Sequence, residues 1–554
     1  MLNQNQTPLL DTLTTCAARQ EAPFYTPGHK RGGGISPKLA DYFGKALFRA
    51  DLPELEELDN LFAPSGVIQQ AQQLAAEAFG AAQTWFLVNG STCGIEAAIL
   101  ATCNAGDKII LPRNVHSSAI AGLILSSAIP VFVYPEYDSV LDIAHSINPS
   151  AIEAALREHP DAKAVMMVYP TYYGVCGDVS AIASLCHDYN IPLLVDEAHG
   201  AHFAFHPQLP ISALAAGADL TVQSIHKTLG AMTQASMLHV QGDRIDRDRI
   251  CKALQLVQST SPSYILMASL DAARQQMALH GKELMSRTLQ LADDARSRIS
   301  QIPGLSVLNL PHPSPPLLGD GVSPSPIRGG VGERFRGFVT LDRTRLTVTV
   351  SGLGLTGFEA DEILTQKFGV TAEFPSLQHL TFIISLGNTQ EDIEQLVAGF
   401  AGLAGRTPPP NPLPVNEEGE PEAVSEVGEP EAVSEVGEPE AVKDEEEEIS
   451  THHPLPACLN HSELWDDVSI LGNFVQMSPR EAFFAATETL SINKTINRIC
   501  AEIVCPYPPG IPVLMPGEVI TKEALEYLQN IQAMGGFISG CADSSLRTLQ
   551  VVKL

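Results

Sequence analysis

Between about residues 65 and 240 the chain alternates between two hydrophobic periods. Amphipathic stretches such as VIQQAQQLAAEAFG, apolar at every third or fourth position, predict helices. Short apolar runs follow them: TWFLV, KIILP, PVFVYP, AVMMVYP, IPLLVDE and DLTVQS. Runs of this length, bounded by Gly, Pro and polar clusters, predict buried strands. Strands alternating with helices imply an α/β fold, with a parallel or mostly parallel sheet and helices on both faces. The stretch AIAGLILSSAIPVFVY predicts a buried helix running into a strand, and its serines and proline make it too broken to span a bilayer.

Past residue 265 the helical period persists to about residue 300. A Pro/Gly-rich piece at 311–336 then predicts a flexible surface insertion. A second α/β segment follows, with RLTVTVS and TFIISLG as strands around the helix FEADEILTQKF. Between 406 and 455 the apolar pattern disappears. GEPEAVSEV occurs twice in tandem and GEPEAV follows, before an acidic run. With so few large apolar side chains this segment predicts a disordered linker, and nine residues are too short a period for a solenoid unit. The expected organisation is therefore an N-terminal arm (1–64), a large domain (65–300), a small α/β domain (301–405), the linker, and a C-terminal domain (456–554).

The formal charge is −30, and residues 417–448 carry nearly half of it, with fifteen acids and one lysine. The remainder is still acidic, which argues against nucleic acid as a partner. The ten cysteines are scattered, without zinc spacing, so no metal site is expected, and Cys500 and Cys505 are read as buried thiols. The start MLNQNQTPLLDTL lacks the pattern of a signal peptide, and a cytoplasmic location away from membranes is the expectation.

Ligands of parallel sheets bind at the carboxyl ends of the strands. There the sequence places NGSTCG, RNVHSS, PTYYG, DEAHG and SIHKT. Lys227 follows one β run and Asp196 follows another. A lysine with an aspartate partner is what pyridoxal phosphate (PLP) requires: an amine for the covalent link and a carboxylate for the pyridinium nitrogen. A lone lysine after a strand is more often a surface residue, but Ser224, His226 and Asp196 accompany this one. Asp196 follows a buried run, and a buried carboxylate is costly without a cation. NGSTCG opens a helix, where backbone N–H groups and the Ser91 and Thr92 hydroxyls suit a phosphate. His116, at another helix start, is by itself more often a histidine without a ligand; in a PLP site it would stack on the ring face opposite Lys227. The loop QSTSPSY offers Thr260 to a phosphate, with that of a neighbouring subunit as one candidate.

The motifs TPGHKRGGG, DLPELEELDNLFAPSG, NGSTCG, RNVHSS, DEAHG, SIHKTL and STSPSY resemble those of the bacterial ornithine/lysine/arginine decarboxylases of PLP fold-type I. The later stretches MSPREAFFAATETL and CPYPPGIPVLMPGE resemble that family's C-terminal domain. The resemblance implies decarboxylation of a basic L-amino acid, with arginine slightly favoured. It makes Lys227 the cofactor lysine, flanked by His226, with Asp196 on the ring nitrogen and Ala198 and His199 lining the ring. His116 would stack on the cofactor. Ser91, Thr92, Ser224 and Thr260 of a partner subunit would bind its phosphate, and Glu518 would face the substrate's distal cation. Only about 25 residues precede TPGHK, as in short family members without a wing domain, so a homodimer or tetramer is expected. Phe62 stands where the family often has histidine. Aminotransferase or oxoamine synthase chemistry, and a catalytically silent regulator of polyamine enzymes, are the alternatives.

Overall fold

The computed structural model describes residues 2–310, 337–405 and 475–553. The expected insertion at 311–336, the acidic repeat linker and residues 456–474 of the C-terminal segment lie outside the described residues.

Seven strands form the central sheet: β1 (Gln83–Leu87), β2 (Lys108–Pro112), β3 (Ile129–Val133), β4 (Ala164–Val168), β5 (Leu193–Asp196), β6 (Leu220–Gln223) and β7 (Ser236–Val240). Their spatial order is β1-β7-β6-β5-β4-β2-β3. The five strands from β6 to β3 are parallel, and β7 runs antiparallel between β6 and β1. Each of the six apolar runs became a strand. The period of two sends alternate side chains to opposite faces. Phe86, Ile110, Val165, Met167, Leu193 and Val195 join one apolar cluster. Leu87, Ile109, Leu111, Met166, Leu194 and Val222 join the other.

Helices cover both faces as the alternation implied. The helix Gly90–Thr102 lies so close to the sheet that a Cβ on Gly94 would come within 2.6 Å of Leu87 and 2.7 Å of Val222. The N-terminal helix Pro8–Ala18 is tied to the long helix Tyr264–Ile299 by buried polar contacts. Asp271 accepts from the Leu9 N–H at 3.0 Å, and Arg274 donates to the Gln4 and Gln6 carbonyls at 2.9 and 2.7 Å.

The C-terminal end of that long helix enters a separate core with a four-stranded antiparallel sheet, Ser306–Val307, Arg345–Thr349, His379–Ile383 and Phe374–Pro375. The helices Gly357–Phe368 and Gln390–Leu403 cover it, each opened by a capping box that satisfies its first N–H groups. A third core, with Cys500, Val504, Leu514, Ile520, Leu528 and Val551, belongs to the C-terminal segment. There Thr487–Ser491 pairs with Thr548–Val552, and Cys505–Tyr507 pairs with Phe537–Ser539. Cys500 and Cys505 are buried free thiols. No described helix is long and apolar enough to cross a membrane.

Candidate active site

Register places the chemistry. Val168 of β4 pairs with Asp196 of β5, and Asp196 pairs with Val222 of β6. Asp196 therefore sits at the carboxyl edge of three adjacent parallel strands, and β6 ends one residue later. SIHKT is not the loop expected after a strand: Ile225–Thr228 forms a single helical turn. That turn carries Lys227 back toward β5, where its Nζ lies 3.0 Å from His199 Nε2.

The structure brings Lys227, Asp196, His199, His226 and His116 into one electrostatic neighbourhood. Burial pushes the Lys227 amine below the ordinary lysine range, and Asp196 pulls it back up. Burial pushes the Asp196 carboxyl up, opposed by the Lys227 charge and by the Ala198 N–H, which donates to Oδ1 at 3.1 Å. His199 lies well below the usual imidazole range, chiefly through burial and then through Lys227 and Arg345. His116 falls to about 4 through burial and the Lys227 charge, and burial also lowers His226.

The hydrogen bonds fix two of these rings. His116 caps the helix Ser117–Ser126, its Nδ1 accepting from the Ser118 N–H at 3.2 Å. A neutral His116 therefore carries its proton on Nε2. His226 Nδ1 lies 3.1 Å from the Ala235 carbonyl and donates to it, leaving Nε2 bare.

The helix Gly90–Thr102 opens with Asn89 at its N-cap, and Ser91 and Thr92 lie in the first turn. Ser224, wholly buried, donates to Ser91 Oγ at 2.9 Å. Two strand ends and a helix N-terminus thus converge. Thr260 is exposed, on a loop whose Ser259 N–H reaches Asn89 Oδ1 of the same chain at 3.4 Å.

Glu518 lies elsewhere in the network. Its carboxylate takes a bidentate pair from Arg113, Nε to Oε1 at 3.1 Å and Nη2 to Oε2 at 2.9 Å, and a third bond from the Met515 N–H. Arg113 also donates to the Pro512 and Val513 carbonyls. This arginine latches the C-terminal segment onto the end of β2. The same segment touches His116: the Gly510 carbonyl accepts from Ser117 N–H at 3.1 Å, and a Cβ on Gly510 would come 3.1 Å from His116 Nε2. Beside this contact lies a cavity of about 580 Å³, lined by Asn114, Tyr173, Phe374 and Tyr507, and by the carboxylates Asp142, Glu359, Asp361 and Glu362.

Sequence reasoning missed Arg113, Arg345 and Tyr172, whose ring packs edge-on against His199 at 5.0 Å. Arg113 stands inside PRNVHSS and Arg345 inside RLTVTVS, so both were in view, but periodicity marks them only as strand-end or strand residues.

The arrangement fits pyridoxal phosphate. Asp196 is a buried carboxylate without an ion pair among the described residues, suited to a protonated ring nitrogen. Lys227 is a buried amine beside it, and a hydroxyl-bearing helix N-terminus suits a phosphate. No described cluster of His, Cys, Asp and Glu is arranged to hold a metal ion.

Residues 7–392 match "Orn/Lys/Arg decarboxylase, major domain", and residues 473–542 match "Orn/Lys/Arg decarboxylase, C-terminal domain". The chain belongs to the Orn/Lys/Arg decarboxylase family. It is a PLP-dependent carboxy-lyase acting on a basic amino acid. That membership decides against the aminotransferase and oxoamine synthase alternatives. The chain is 36% identical to an arginine decarboxylase of Bacillus subtilis, covering 100% of this chain and 99% of that one. It is 35% identical to an arginine decarboxylase of Halalkalibacterium halodurans over the same shares. Among solved structures, lysine decarboxylase A from Pseudomonas aeruginosa shares the fold at a TM-score of 0.75 and 24% identity, over 99% of this chain and 80% of that one.

An Asp196→Asn substitution tests the electrostatics of the site. Because burial raises the aspartate's pKa, the charged form opposes folding near neutral pH, and the cost fades as pH falls and the group protonates. The variant is expected to raise the thermal midpoint of the cofactor-free protein at pH 7 while weakening PLP binding at least tenfold. A lowered midpoint with unchanged PLP affinity would contradict this reading.

Proposed function

We propose that this decarboxylase acts on L-arginine, releasing agmatine and carbon dioxide. The observation that carries the choice is the end-to-end likeness to arginine decarboxylases at 34–36% identity. The carboxylate-lined cavity is consistent with a cationic substrate, because Arg113 is the one arginine among its lining residues and is already paired.

In this reading Lys227 would hold the cofactor through its amine. Asp196 keeps the ring nitrogen protonated, and Ala198 and His199 line the ring. Ser91, Thr92 and Ser224 bind the phosphate, and His116 stacks on the face walled by Gly510. When bound, pyridoxal phosphate supplies an electron-accepting ring conjugated to the substrate nitrogen. The Cα–carboxylate bond breaks, carbon dioxide leaves, and a proton returns to Cα. Lys227 or a nearby histidine supplies that proton. The proposed active form is a homodimer or tetramer, with the exposed Thr260 serving the phosphate of a partner subunit.

Incubation of the PLP-loaded protein with arginine, lysine and ornithine separately tests the substrate. Carbon dioxide and agmatine are expected, with kcat/KM for arginine at least tenfold above the others. Preferential cadaverine or putrescine formation would overturn the choice.

Glu518 is proposed to meet the substrate's distal cation while shared with Arg113. Glu518→Gln is then expected to lower kcat/KM for arginine about 10- to 100-fold, mainly through KM, as loss of a charge-assisted hydrogen bond of about 1.5–3 kcal/mol implies. A lowered thermal midpoint with unchanged KM would leave Glu518 as part of the latch alone.

A further inference from the structure

Arg345 is only 1% exposed. Its backbone is held in the small antiparallel sheet, paired with Ile383, and its carbonyl accepts from Arg296 at 2.8 Å. Its Nε and Nη1 have no hydrogen-bond partner among the described residues. Its Nη2 reaches His199 Nδ1 at 2.5 Å. On the other side of the same ring, His199 Nε2 lies 3.0 Å from Lys227 Nζ.

The donor and acceptor rules leave one assignment. A guanidinium donates from every nitrogen and accepts at none, so His199 Nδ1 carries a lone pair. The imidazole then keeps its single proton on Nε2 and is neutral. That N–H points at Lys227 and needs a lone pair there. An ammonium has none, whereas a free amine has one. The donors run in one direction, from Arg345 through His199 to an uncharged nitrogen.

We propose that Arg345 is a positioning residue which, through His199, fixes the imidazole tautomer that presents Lys227 as an uncharged amine. Only that form attacks an aldehyde carbon: the carbonyl oxygen leaves as water and a C=N link forms, with no net redox change. The groups facing Lys227 bear this out as a balance. Asp196 and Glu373 favour the ammonium, while burial and Arg345 oppose it. His116, His199 and His226 are all pushed down chiefly by burial, and so add no cation near neutral pH. Without Arg345 the ring is released to turn over its tautomer, bare Nε2 toward the lysine, and to accept from an ammonium instead.

The biological use of this device rests on Lys227 being the cofactor lysine, but its test reads the lysine without cofactor. Full-length cofactor-free protein is trace-labelled with acetic anhydride across pH, and acetylation of Lys227 is quantified by mass spectrometry against the exposed Lys522. Wild-type Lys227 is expected to become reactive at lower pH than Lys522. Arg345→Gln should move the Lys227 profile up by about one pH unit or more, cutting its reactivity at pH 7 about tenfold. Arg345→Lys, which still donates to Nδ1, should restore most of it, and the effect of Arg345→Gln should largely vanish in a His199→Phe background. A wild-type Lys227 that titrates with Lys522, or an Arg345→Gln shift that persists undiminished without His199, would overturn the proposal. A measurement without substitutions at Arg345 guards against misfolding: in ¹⁵N-histidine-labelled wild-type protein, His199 should show a bare Nδ1 and a protonated Nε2, and the reverse would overturn it. A low-titrating Lys227 that fails to bind added PLP would instead refute the assignment of the cofactor lysine.

Discussion

An amine and a carboxylate, both buried, share the carboxyl edge of one parallel sheet without a direct ion pair. Lys227 and Asp196 sit on neighbouring strand ends, close enough for each to feel the other's charge. Burial makes both charges expensive, and a protein that only needed to fold would do better without them. The cost makes sense if a third charged body completes the site. A pyridoxal phosphate held as proposed would supply it, offering a charged ring nitrogen to Asp196 and an aldehyde to the amine. The rest of the fold serves this arrangement. The β5–β6 register brings the two strand ends level, the turn Ile225–Thr228 returns the lysine toward its partner, and the helix starting at Gly90 aims its N-terminus at the same place.

The site is walled by all three cores. The large sheet provides Lys227, Asp196 and the hydroxyl-bearing helix N-terminus at Ser91. The small antiparallel sheet sends Arg345 into contact with His199. The C-terminal segment reaches His116 through Gly510, a position with a φ of +85° that a side chain would strain and crowd. Arg113 fastens this segment through four bonds, to Glu518 and to the Pro512 and Val513 carbonyls. A pair so buried is hard to break one partner at a time, because the survivor is left as an uncompensated charge.

Much of this was legible in the sequence because it rests on local pattern. The six apolar runs became strands, NGSTCG opened a helix, and His116 took the N-cap of another, Ser117–Ser126. The family's motifs pointed to the reaction. The antiparallel β7, inserted between β1 and β6, was not among the six runs read as strands, and its SMLHV carries a polar His239 inside the buried run. Arg345 was hidden for another reason. Its partner His199 is 146 positions away, and only the packing of one sheet against the other joins them. For Glu518 the motif PGE gave a carboxylate but not its neighbour: that Arg113 occupies both oxygens follows from a contact across 405 residues.

The most direct test is to load the protein with pyridoxal phosphate, reduce it with borohydride, and locate the label by peptide mass spectrometry. The account predicts one phosphopyridoxyl group per chain, on Lys227, and none at that site after Lys227→Ala. A label on a different lysine, or no retained label despite excess cofactor, would contradict it.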